Sequence, residues 1–527
     1  MFSWEFPYTS QRMPVLAKNV VATSQPLAAQ AGLAMLAKGG NAVDAGLAAA
    51  ITLTVVEPTS NGIGSDVFAI LWDGQRLVGL NASGRSPAGW TPERFKGRDA
   101  IPQRGWDAAT VPGAPSAWIA LSKRYGKLPF EDLFEAAIRY ARDSYMDSPI
   151  TATSWARQAP NYKGFSEFCW TFLPKDRAPY PGERFYCPQQ AEALEDIAST
   201  KAESFYRGPI AERIALASNA DDGAMTMEDL AAHRADWIEP INIEYRGYHL
   251  HEMPPSGQGI AALMALGILR NFDLGSHPVD SADSLHLQIE AMKLALSDAW
   301  LHVSDPMSSQ VTPAQMLDDA YLNGRAKTID MKKAQTPAAG FQKGGGTIYL
   351  TAADEKGMML SFIQSNYQGF GSGIVVPGTG ISLNNRGHGF SLKPGHANQV
   401  APRKRPFNTI IPGFLTRNGQ PVMSFGVMGG NMQAQGHVQM VTRLVDYGQN
   451  PQACTDGPRW IVNPDYTVSF EDRFPATVVE DLTRRGHRFV SAEVPMFGFG
   501  GAQLIHRLDD GYCAASDHRK DGGAVGF

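Results

Sequence analysis

The chain has 527 residues, of which 43% are hydrophobic and 19% are charged, and its formal net charge is −5. This composition is typical of a soluble globular protein, and the length allows either several ordinary domains or one large α/β unit. This slight excess of acidic residues does not provide the basic surface that a nucleic-acid partner would require.

Neither a leader nor a membrane segment is predicted. The segment Met1–Phe6 has no basic head followed by an apolar stretch, and the longest apolar run, Ala45–Val56, is too short to cross a bilayer. Four cysteines lack metal-ligand spacing, and although Cys169 and Cys187 could form a bridge in an exported protein, free thiols are the favoured interpretation. We therefore expect a cytoplasmic protein with free thiols.

The first part of the chain is predicted to be mainly helical. Apolar residues recur at helical spacing over 26–38, and Gly39 and Gly40 end the pattern. A strand pair is predicted at Val67–Trp72 and Arg76–Asn81, joined by an Asp-Gly turn. Similar apolar patterns predict further helices at 42–56, 115–124, 129–143, 189–199, 227–234 and 282–300.

After residue 346 the pattern becomes rich in strands. Alternating residues at Ile348–Ala353 and Met358–Gln364 flank a turn ending in Gly357, which predicts a hairpin. Strands interleaved with helices indicate one layered α/β body. The further predicted strands are 409–415, 421–425, 467–470, 502–508 and 511–516, and the helices are 432–447 and 476–485.

Thr347 follows three glycines at the boundary between these two parts. A threonine hydroxyl needs an adjacent base to act as a nucleophile, and the α-amine of an amino-terminal threonine can serve. Glycines tolerate the backbone bend needed for self-cleavage of the peptide bond between Gly346 and Thr347. The polar, aperiodic stretch 328–346 is predicted to be an exposed linker, although a flexible loop entering a strand explains the same residues.

Other common catalytic motifs are missing from the sequence. No nucleophile elbow, phosphate-binding loop or zinc helix is present, and the twelve histidines do not cluster at ligand spacing. We therefore expect neither a metal nor a cofactor.

A glycine pair provides a candidate oxyanion hole. Gly429 and Gly430 precede the predicted helix 432–447, and backbone N–H groups at such a position can face a developing negative charge. Close packing of the backbone against a neighbouring element explains the pair equally well.

Several short motifs follow one another in a fixed order. Together with the Gly-Gly-Gly-Thr junction, they resemble the γ-glutamyltransferase-type N-terminal-nucleophile hydrolases over nearly the whole chain. The motifs are Gly39–Ala45, Val56–Pro58, Gly62–Gly64, Thr110–Gly113, Pro255–Gly257, Leu383–Asn385 and Arg459 after Gly457-Pro458.

The resemblance implies a four-layer αββα sandwich formed by two paired fragments of one precursor, residues 1–346 and 347–527. It assigns the nucleophile to Thr347, whose α-amine would be the base after cleavage. A helper hydroxyl that contacts the nucleophile falls on Ser365. The oxyanion glycines fall on Gly429 and Gly430.

The resemblance also assigns residues to substrate binding. The arginine that holds a substrate carboxylate falls on Arg85, and a supporting pair of serines falls on Asn408 and Thr409. An asparagine and a glutamine of the family's pocket are replaced by Tyr367 and Arg386, respectively.

One departure from the family concerns the substrate's amino group. The aspartate that grips it is replaced by Gly389, so the counter-charge for an ammonium group is lost. Arg386 adds a guanidinium near Arg85, and Tyr367 takes up volume, which together favour a small, cationic pocket for a carboxylate-bearing amide.

The segment Ser365–Gly373 is similar to a branch of this family that contains oxamate amidohydrolases. That resemblance implies hydrolysis of oxamate to oxalate and ammonia in purine breakdown. A γ-glutamyltransferase or glutathione hydrolase, a related acylase for larger amides, and a binding protein that has lost processing remain alternatives. The sequence leaves the oligomeric state open.

Three further features are left open by the sequence. Gln433 and His437 lie on the helix after Gly430, where packing is the favoured interpretation over contact with the pocket. The basic run Arg403–Arg405 is interpreted as a solvated loop, with attraction of anions as the alternative.

Overall fold

Two seven-stranded sheets lie face to face in a computed structural model that describes residues 11–337, 347–490 and 496–527. Their strands pair antiparallel throughout the described ladders. The strands of the described chain are β1 (Val15–Ala17), β2 (Val20–Thr23), β3 (Asp66–Trp72), β4 (Leu77–Asn81), β5 (Tyr145–Met146), β6 (Arg184–Phe185), β7 (Asp236–Ile238), β8 (Ile241–Tyr245), β9 (Tyr248–Glu252), β10 (Ile348–Ala353), β11 (Met359–Ser365), β12 (Val375–Val376), β13 (Ile381–Ser382), β14 (Gly413–Arg417), β15 (Gln420–Met428), β16 (Trp460–Val462), β17 (Val468–Phe470), β18 (Gly501–Leu508), β19 (Gly511–Ser516) and β20 (Gly523–Gly526).

The two sheets mix strands from both sides of residue 347. One sheet has the order β1-β19-β18-β15-β14-β9-β8, and the other has the order β20-β2-β10-β11-β3-β4-β7. Strands β10 and β11, which follow Thr347, lie in the middle of the second sheet between β2 and β3, which precede it. The two proposed fragments are therefore interleaved.

Helices cover the outer faces of both sheets. They are α1 (Pro26–Ala37), α2 (Ala42–Val56), α3 (Ala114–Tyr125), α4 (Glu135–Asp143), α5 (Pro149–Gln158), α6 (Ser166–Phe172), α7 (Pro188–Ser199), α8 (Glu203–Arg207), α9 (Pro209–Ala220), α10 (Met227–Ala232), α11 (Gly259–Leu269), α12 (Ala282–His302), α13 (Pro313–Met316), α14 (Asp319–Ala326), α15 (Met432–Val445), α16 (Pro451–Asp456) and α17 (Ala476–Arg484).

Three large apolar clusters fill the spaces between the layers of helices and sheets. Phe68, Tyr349 and Phe414 belong to the cluster between the sheets. One outer cluster joins α2 to the faces of β10 and β11, and the other joins α11 and α15 to β14 and β15. Burial of both faces of each sheet confirms the predicted four-layer αββα sandwich.

Helix α2 illustrates how the sequence determines these layers. Asn41 accepts hydrogen bonds from the N–H groups of Val43 and Asp44, and the Asp44 carboxylate accepts one from Asn41, which forms a capping box. All 15 residues of α2 are buried, because it lies between α1 and the sheet. The predicted helix at 42–56 is confirmed.

The mainly helical character predicted for the first part is only partly correct. Residues before 347 also supply strands to both sheets, including β2, β8 and β9. Helix α11 was missed because all eleven of its residues are apolar and buried, so it has no amphipathic period.

Three further predictions concern the linker before Thr347, the cysteines and membrane-spanning helices. Residues 328–337 are exposed or half-buried, as expected of a linker, whereas Gly346 and the rest of the Gly-Gly-Gly junction lie outside the described residues. All four cysteines are free thiols. No helix in the described part of the chain combines the length and apolarity that a bilayer crossing requires.

Candidate active site

Thr347 lies immediately before β10 and is 1% exposed. Ile348 pairs with Gln364 in the β10–β11 ladder, so Thr347 comes opposite Ser365, the last residue of β11. The Thr347 Oγ1 and Ser365 Oγ atoms are 3.1 Å apart, within hydrogen-bond distance. The structure thus brings the predicted nucleophile and its predicted helper hydroxyl into contact.

Gln433 also contacts the Thr347 hydroxyl. Its Nε2 donates to Thr347 Oγ1 at 3.2 Å, while its Oε1 accepts from the Ile411 N–H at 3.0 Å. The packing interpretation favoured for Gln433 is therefore wrong, because its amide contacts the Thr347 hydroxyl directly. His437 instead pairs with the buried Glu252, Nδ1 to Oε1 at 2.5 Å.

The Gly429–Gly430 turn joins β15 to α15. Gly429 and Gly430 have φ values of 129° and 60°, in the region that favours glycine. The Gly430 carbonyl accepts from Gln258 Nε2 at 2.9 Å and from the Gln433 N–H. Within the described residues, neither glycine N–H donates to a backbone carbonyl, which suits an oxyanion hole.

Arg386 is fully buried and paired with Asp66. Its Nε and Nη2 donate to the two Asp66 carboxylate oxygens at 3.0 and 3.1 Å, and its Nη1 donates to Thr409 Oγ1 at 3.0 Å. Asn408 Nδ2 donates to the same carboxylate at 2.7 Å. The excess positive charge expected from Arg386 is offset by Asp66, which the sequence reasoning did not include.

Tyr367 lies against this ion pair. The Arg386 guanidinium carbon is 4.5 Å from the centre of the Tyr367 ring, and the Tyr367 N–H donates to Ser365 Oγ at 2.7 Å. Burial raises the pKa of the Tyr367 phenol. Its φ of 77° is uncommon for a residue with a side chain, which indicates a constrained position next to the nucleophile's partner.

Gly389 ends the short 3₁₀ turn that begins at Arg386. A Cβ at Gly389 would lie 2.9 Å from the Phe407 carbonyl oxygen, closer than ordinary contact. An aspartate at position 389 would therefore require the backbone at Gly389 or Phe407 to shift.

Arg85 is 38% exposed at its side chain, so it is more accessible than the buried Arg386. Its Nη1 pairs with Asp305 Oδ2 at 3.1 Å and contacts the Arg403 carbonyl oxygen at 3.3 Å. The solvated-loop interpretation of the basic run is wrong for two of its residues, because Lys404 is 9% and Arg405 is 7% exposed. Lys404 Nζ donates to two backbone carbonyls of its own loop.

One group among the described residues has the donor set of a metal site. His286, Glu290 and His487 are buried with their ligand atoms within 4.8 Å of one another. The Lys293 ammonium group already contacts two of them, at 2.9 Å from Glu290 Oε1 and 3.3 Å from His487 Nδ1. Lys293 thus provides the positive charge at this position.

Asp66 and Gln258 are the residues that the sequence reasoning missed. Asp66 lies in the polar, glycine-rich segment that begins at Asn61, so a carboxylate in that segment was the available signal. Gln258 follows the Pro255–Gly257 motif and donates to the carbonyls of Gly430 and Thr409. It is fully buried.

Comparisons with known proteins identify the family. The family model for "Gamma-glutamyltranspeptidase" matches residues 28–527. The chain is 35% identical over 524 residues to a glutathione hydrolase-like proenzyme of Bacillus subtilis, covering 97% of this chain and 98% of the relative. It is also 35% identical over 520 residues to an oxamate amidohydrolase proenzyme of Klebsiella pneumoniae, covering 95% and 97%.

Solved structures give the same picture of the fold. The crystal structure of a cephalosporin acylase from Bacillus halodurans superposes with a TM-score of 0.96 at 46% identity, covering 100% of this chain and 99% of that one. The γ-glutamyltranspeptidase of Helicobacter pylori gives a TM-score of 0.58 at 28% identity, covering 62% and 95%.

Proposed function

The chain belongs to the γ-glutamyltranspeptidase family, and we propose that it cleaves itself before Thr347 and then hydrolyses a carboxylate-bearing amide. Its relatives include proenzymes and an acylase, and the chain is an N-terminal-nucleophile hydrolase that acts on amide C–N bonds.

The main support for this proposal is the set of contacts made by the Thr347 hydroxyl group. Ser365 Oγ and Gln433 Nε2 lie at 3.1 and 3.2 Å from Thr347 Oγ1, and the Gly429–Gly430 turn begins the same helix that bears Gln433. Acyl transfer requires a positioned nucleophile and N–H donors for the oxyanion, and we assign these roles to Thr347 and to the Gly429–Gly430 turn.

In the proposed self-cleavage, Thr347 Oγ1 attacks the carbonyl carbon of Gly346. The peptide C–N bond breaks as the hydroxyl proton passes to the nitrogen, so the Thr347 α-amine is freed and Oγ1 becomes esterified to Gly346. Water then hydrolyses this ester, which frees the Thr347 hydroxyl and leaves a carboxylate on Gly346. The products are fragments of 346 and 181 residues.

In the proposed turnover, the Thr347 α-amine takes the proton from Oγ1 as that oxygen attacks the substrate's amide carbon. The N–H groups of Gly429 and Gly430 stabilise the tetrahedral oxyanion. The α-ammonium returns a proton to the leaving amine, and water then hydrolyses the acyl ester. Each step uses only groups of this chain, the substrate and water.

We assign recognition of the substrate carboxylate first to Arg85. It is the exposed guanidinium of the predicted set, whereas Arg386 is buried in its pair with Asp66. Asn408 and Thr409 hydrogen-bond to that pair and thereby support the pocket wall. Tyr367 fills space beside it.

Oxamate is the smallest substrate that meets these requirements, and the similarity to an oxamate amidohydrolase supports it. A role in purine breakdown would follow from that substrate. The four free thiols fit a reducing compartment such as the cytoplasm.

Mass spectrometry of the purified protein tests self-cleavage, and ammonia release tests hydrolysis. We expect two fragments with Thr347 at the new amino terminus, oxamate turnover by the processed protein, and neither result for Thr347→Ala. A single intact chain that still hydrolyses amides would refute the proposal.

An acylase for larger amides is the second candidate, because the cephalosporin acylase of Bacillus halodurans is 46% identical over the whole chain. A γ-glutamyltransferase is disfavoured by Gly389, which offers no carboxylate for an ammonium group. Strong turnover of γ-glutamyl-p-nitroanilide would reverse that preference.

A further inference from the structure

The loop that follows β11, residues 366–373, has an uncommon backbone, and we call it the tyrosine loop. Positive φ values recur at every second residue: 77° at Tyr367, 55° at Gly369, 76° at Gly371 and 79° at Gly373. Glycine adopts such values readily, whereas a residue with a side chain rarely does. Contacts elsewhere in the loop therefore have to hold Tyr367 in this conformation.

Phe370 anchors the tyrosine loop. Its side chain is fully buried among four aromatic rings, which we call the aromatic cage. The distances from the centre of the Phe370 ring are 5.4 Å to Trp155, 5.7 Å to Tyr162, 4.9 Å to Phe168 and 5.1 Å to Phe172. Aromatic contacts at these distances stabilise a ring beyond the effect of burying its apolar area.

The aromatic cage belongs to the first of the two proposed fragments. Trp155 lies on α5, and Tyr162 ends the short 3₁₀ turn that follows this helix. Phe168 and Phe172 lie on α6. The cage rings also contact one another, since Phe168 lies 4.8 Å from Tyr162 and 5.4 Å from Phe172. The cage is therefore a packed unit of the first fragment that receives one ring of the second.

Hydrogen bonds connect the cage to the residue next to Tyr367. The Tyr162 hydroxyl donates to the Gln368 carbonyl oxygen at 3.2 Å, and the Gln368 N–H donates to Asn385 Oδ1 at 3.0 Å. The Gly371 N–H donates to the same Gln368 carbonyl at 2.8 Å. These three hydrogen bonds fix the Gln368 backbone, and with it the carboxyl side of Tyr367.

Tyr367 connects the loop to the nucleophile. Its N–H donates to Ser365 Oγ at 2.7 Å, and Ser365 Oγ lies 3.1 Å from Thr347 Oγ1. The Tyr367 N–H and the two hydroxyl groups thus form a continuous chain of hydrogen bonds that ends on the nucleophile.

We propose that Phe370 is a positioning residue: its burial in the aromatic cage holds the Tyr367 N–H on Ser365 Oγ. The Ser365 hydroxyl is thereby oriented toward Thr347. With one lone pair occupied by the Tyr367 N–H, Ser365 can donate its proton to Thr347 Oγ1 as that oxygen gives its own proton to the α-amine. The inference rests on the proposed amide hydrolysis. Phe370 is fully buried and acts through Tyr367.

Kinetics of the processed protein, with oxamate and γ-glutamyl-p-nitroanilide as substrates, test the effect on the reaction. Phe370→Ala should lower kcat roughly 100-fold with little change in KM, because the Ser365 hydroxyl loses its orientation. Phe370→Met keeps a side chain that packs well against aromatic rings, so its kcat should stay within about threefold of the wild type. Phe168→Leu changes only the cage, and its kcat should lie between these two.

Phe474→Ala is the matched control. Phe474 is buried and pairs with the Phe470 ring at 4.7 Å in the outer apolar cluster of the other sheet. This variant should lower the melting temperature as Phe370→Ala does, but leave kcat unchanged. Equal kcat in the two alanine variants, or an effect of Phe370→Ala on KM alone, would refute the inference and leave the proposed function standing.

Hydrogen exchange measures the position of the tyrosine loop without reference to activity. In Phe370→Ala, peptides that cover residues 366–373 should exchange roughly tenfold faster than in the wild type, whereas β10 and β11 keep their protection. Phe370→Met should retain the slow exchange of the loop. If these results are obtained but no amide is hydrolysed, the proposed function fails and the positioning of Tyr367 stands. Unchanged exchange of the loop in Phe370→Ala would overturn the inference.

Discussion

The two carboxylate oxygens of Asp66 receive hydrogen bonds from the same guanidinium group, that of Arg386, at 3.0 and 3.1 Å. Both side chains are fully buried. The pair joins the start of β3 to the turn that carries Gly389, so it links segments on both sides of the proposed cleavage point.

Asp66→Asn should lower the free energy of unfolding by about 3–5 kcal/mol, because it leaves the Arg386 charge buried without a partner. The double variant Asp66→Asn/Arg386→Gln should lose less than this single variant. Denaturant titration measures both. Arg142→Gln, at the exposed pair with Glu195, is the control and should cost at most about 1 kcal/mol; an equal loss in Asp66→Asn would contradict the argument.

Gln433→Leu should slow both self-cleavage and amide hydrolysis, because the Thr347 hydroxyl loses the donor that positions it. We expect kcat to fall roughly 100-fold with little change in KM. Gln439→Leu provides the control, since Gln439 lies on the same helix but bonds to the Trp460 carbonyl. Equal kinetics in the two variants would show that Gln433 has only a packing role.

Gly389→Asp should not restore γ-glutamyl transfer. Its Cβ would lie 2.9 Å from the Phe407 carbonyl oxygen, so the backbone must shift, at a cost of about 1–3 kcal/mol. Thermal unfolding and γ-glutamyl-p-nitroanilide turnover are the measurements. Gly164→Asp, in open space, is the control; full stability together with strong transferase activity in Gly389→Asp would disprove the steric argument.

Asp147→Asn should stabilise the protein increasingly as the pH rises. Burial, followed by the charges of Asp521 and Glu57, raises the pKa of the Asp147 carboxyl to about 8. The unfolded chain releases this proton near pH 4, so the wild type loses stability as the pH increases from about 4 to about 8. The variant lacks this loss.

The stability difference between Asp147→Asn and the wild type should therefore grow by up to about 1.4 kcal/mol per pH unit within that window. Urea titrations at pH 5, 6, 7 and 8 provide the measurement. The exposed Asp99→Asn serves as the reference variant. A difference that stays constant over the series would show that Asp147 is ionised in the folded state.

The sequence predicted those helices and strands in which the spacing of apolar residues shows which face is buried. Helix α2 and the β10–β11 hairpin were found because caps, turns and alternation specify them locally. Helix α11 was missed because uniform burial removes its period. Strands β8 and β9 were not predicted, because they lie between the predicted helices 227–234 and 282–300, where no element was assigned.

The candidate site was predicted to a similar extent. Thr347 and Ser365 were paired by resemblance, and their 3.1 Å contact agrees with it. The Asp66–Arg386 pair was not anticipated, because the two residues are 320 positions apart and no local pattern connects them. Gln433 was open to two interpretations, since position on a helix does not reveal which side chain reaches a neighbouring strand.

The interleaving of strands from both sides of Thr347 has a consequence for regulation. Cleavage there divides the polypeptide but not the fold, because β10 and β11 remain hydrogen-bonded to β2 and β3. The two fragments can separate only if the β2–β10 and β3–β11 ladders both unfold. Dilution, which can inactivate an ordinary two-subunit enzyme, is therefore not expected to inactivate this one.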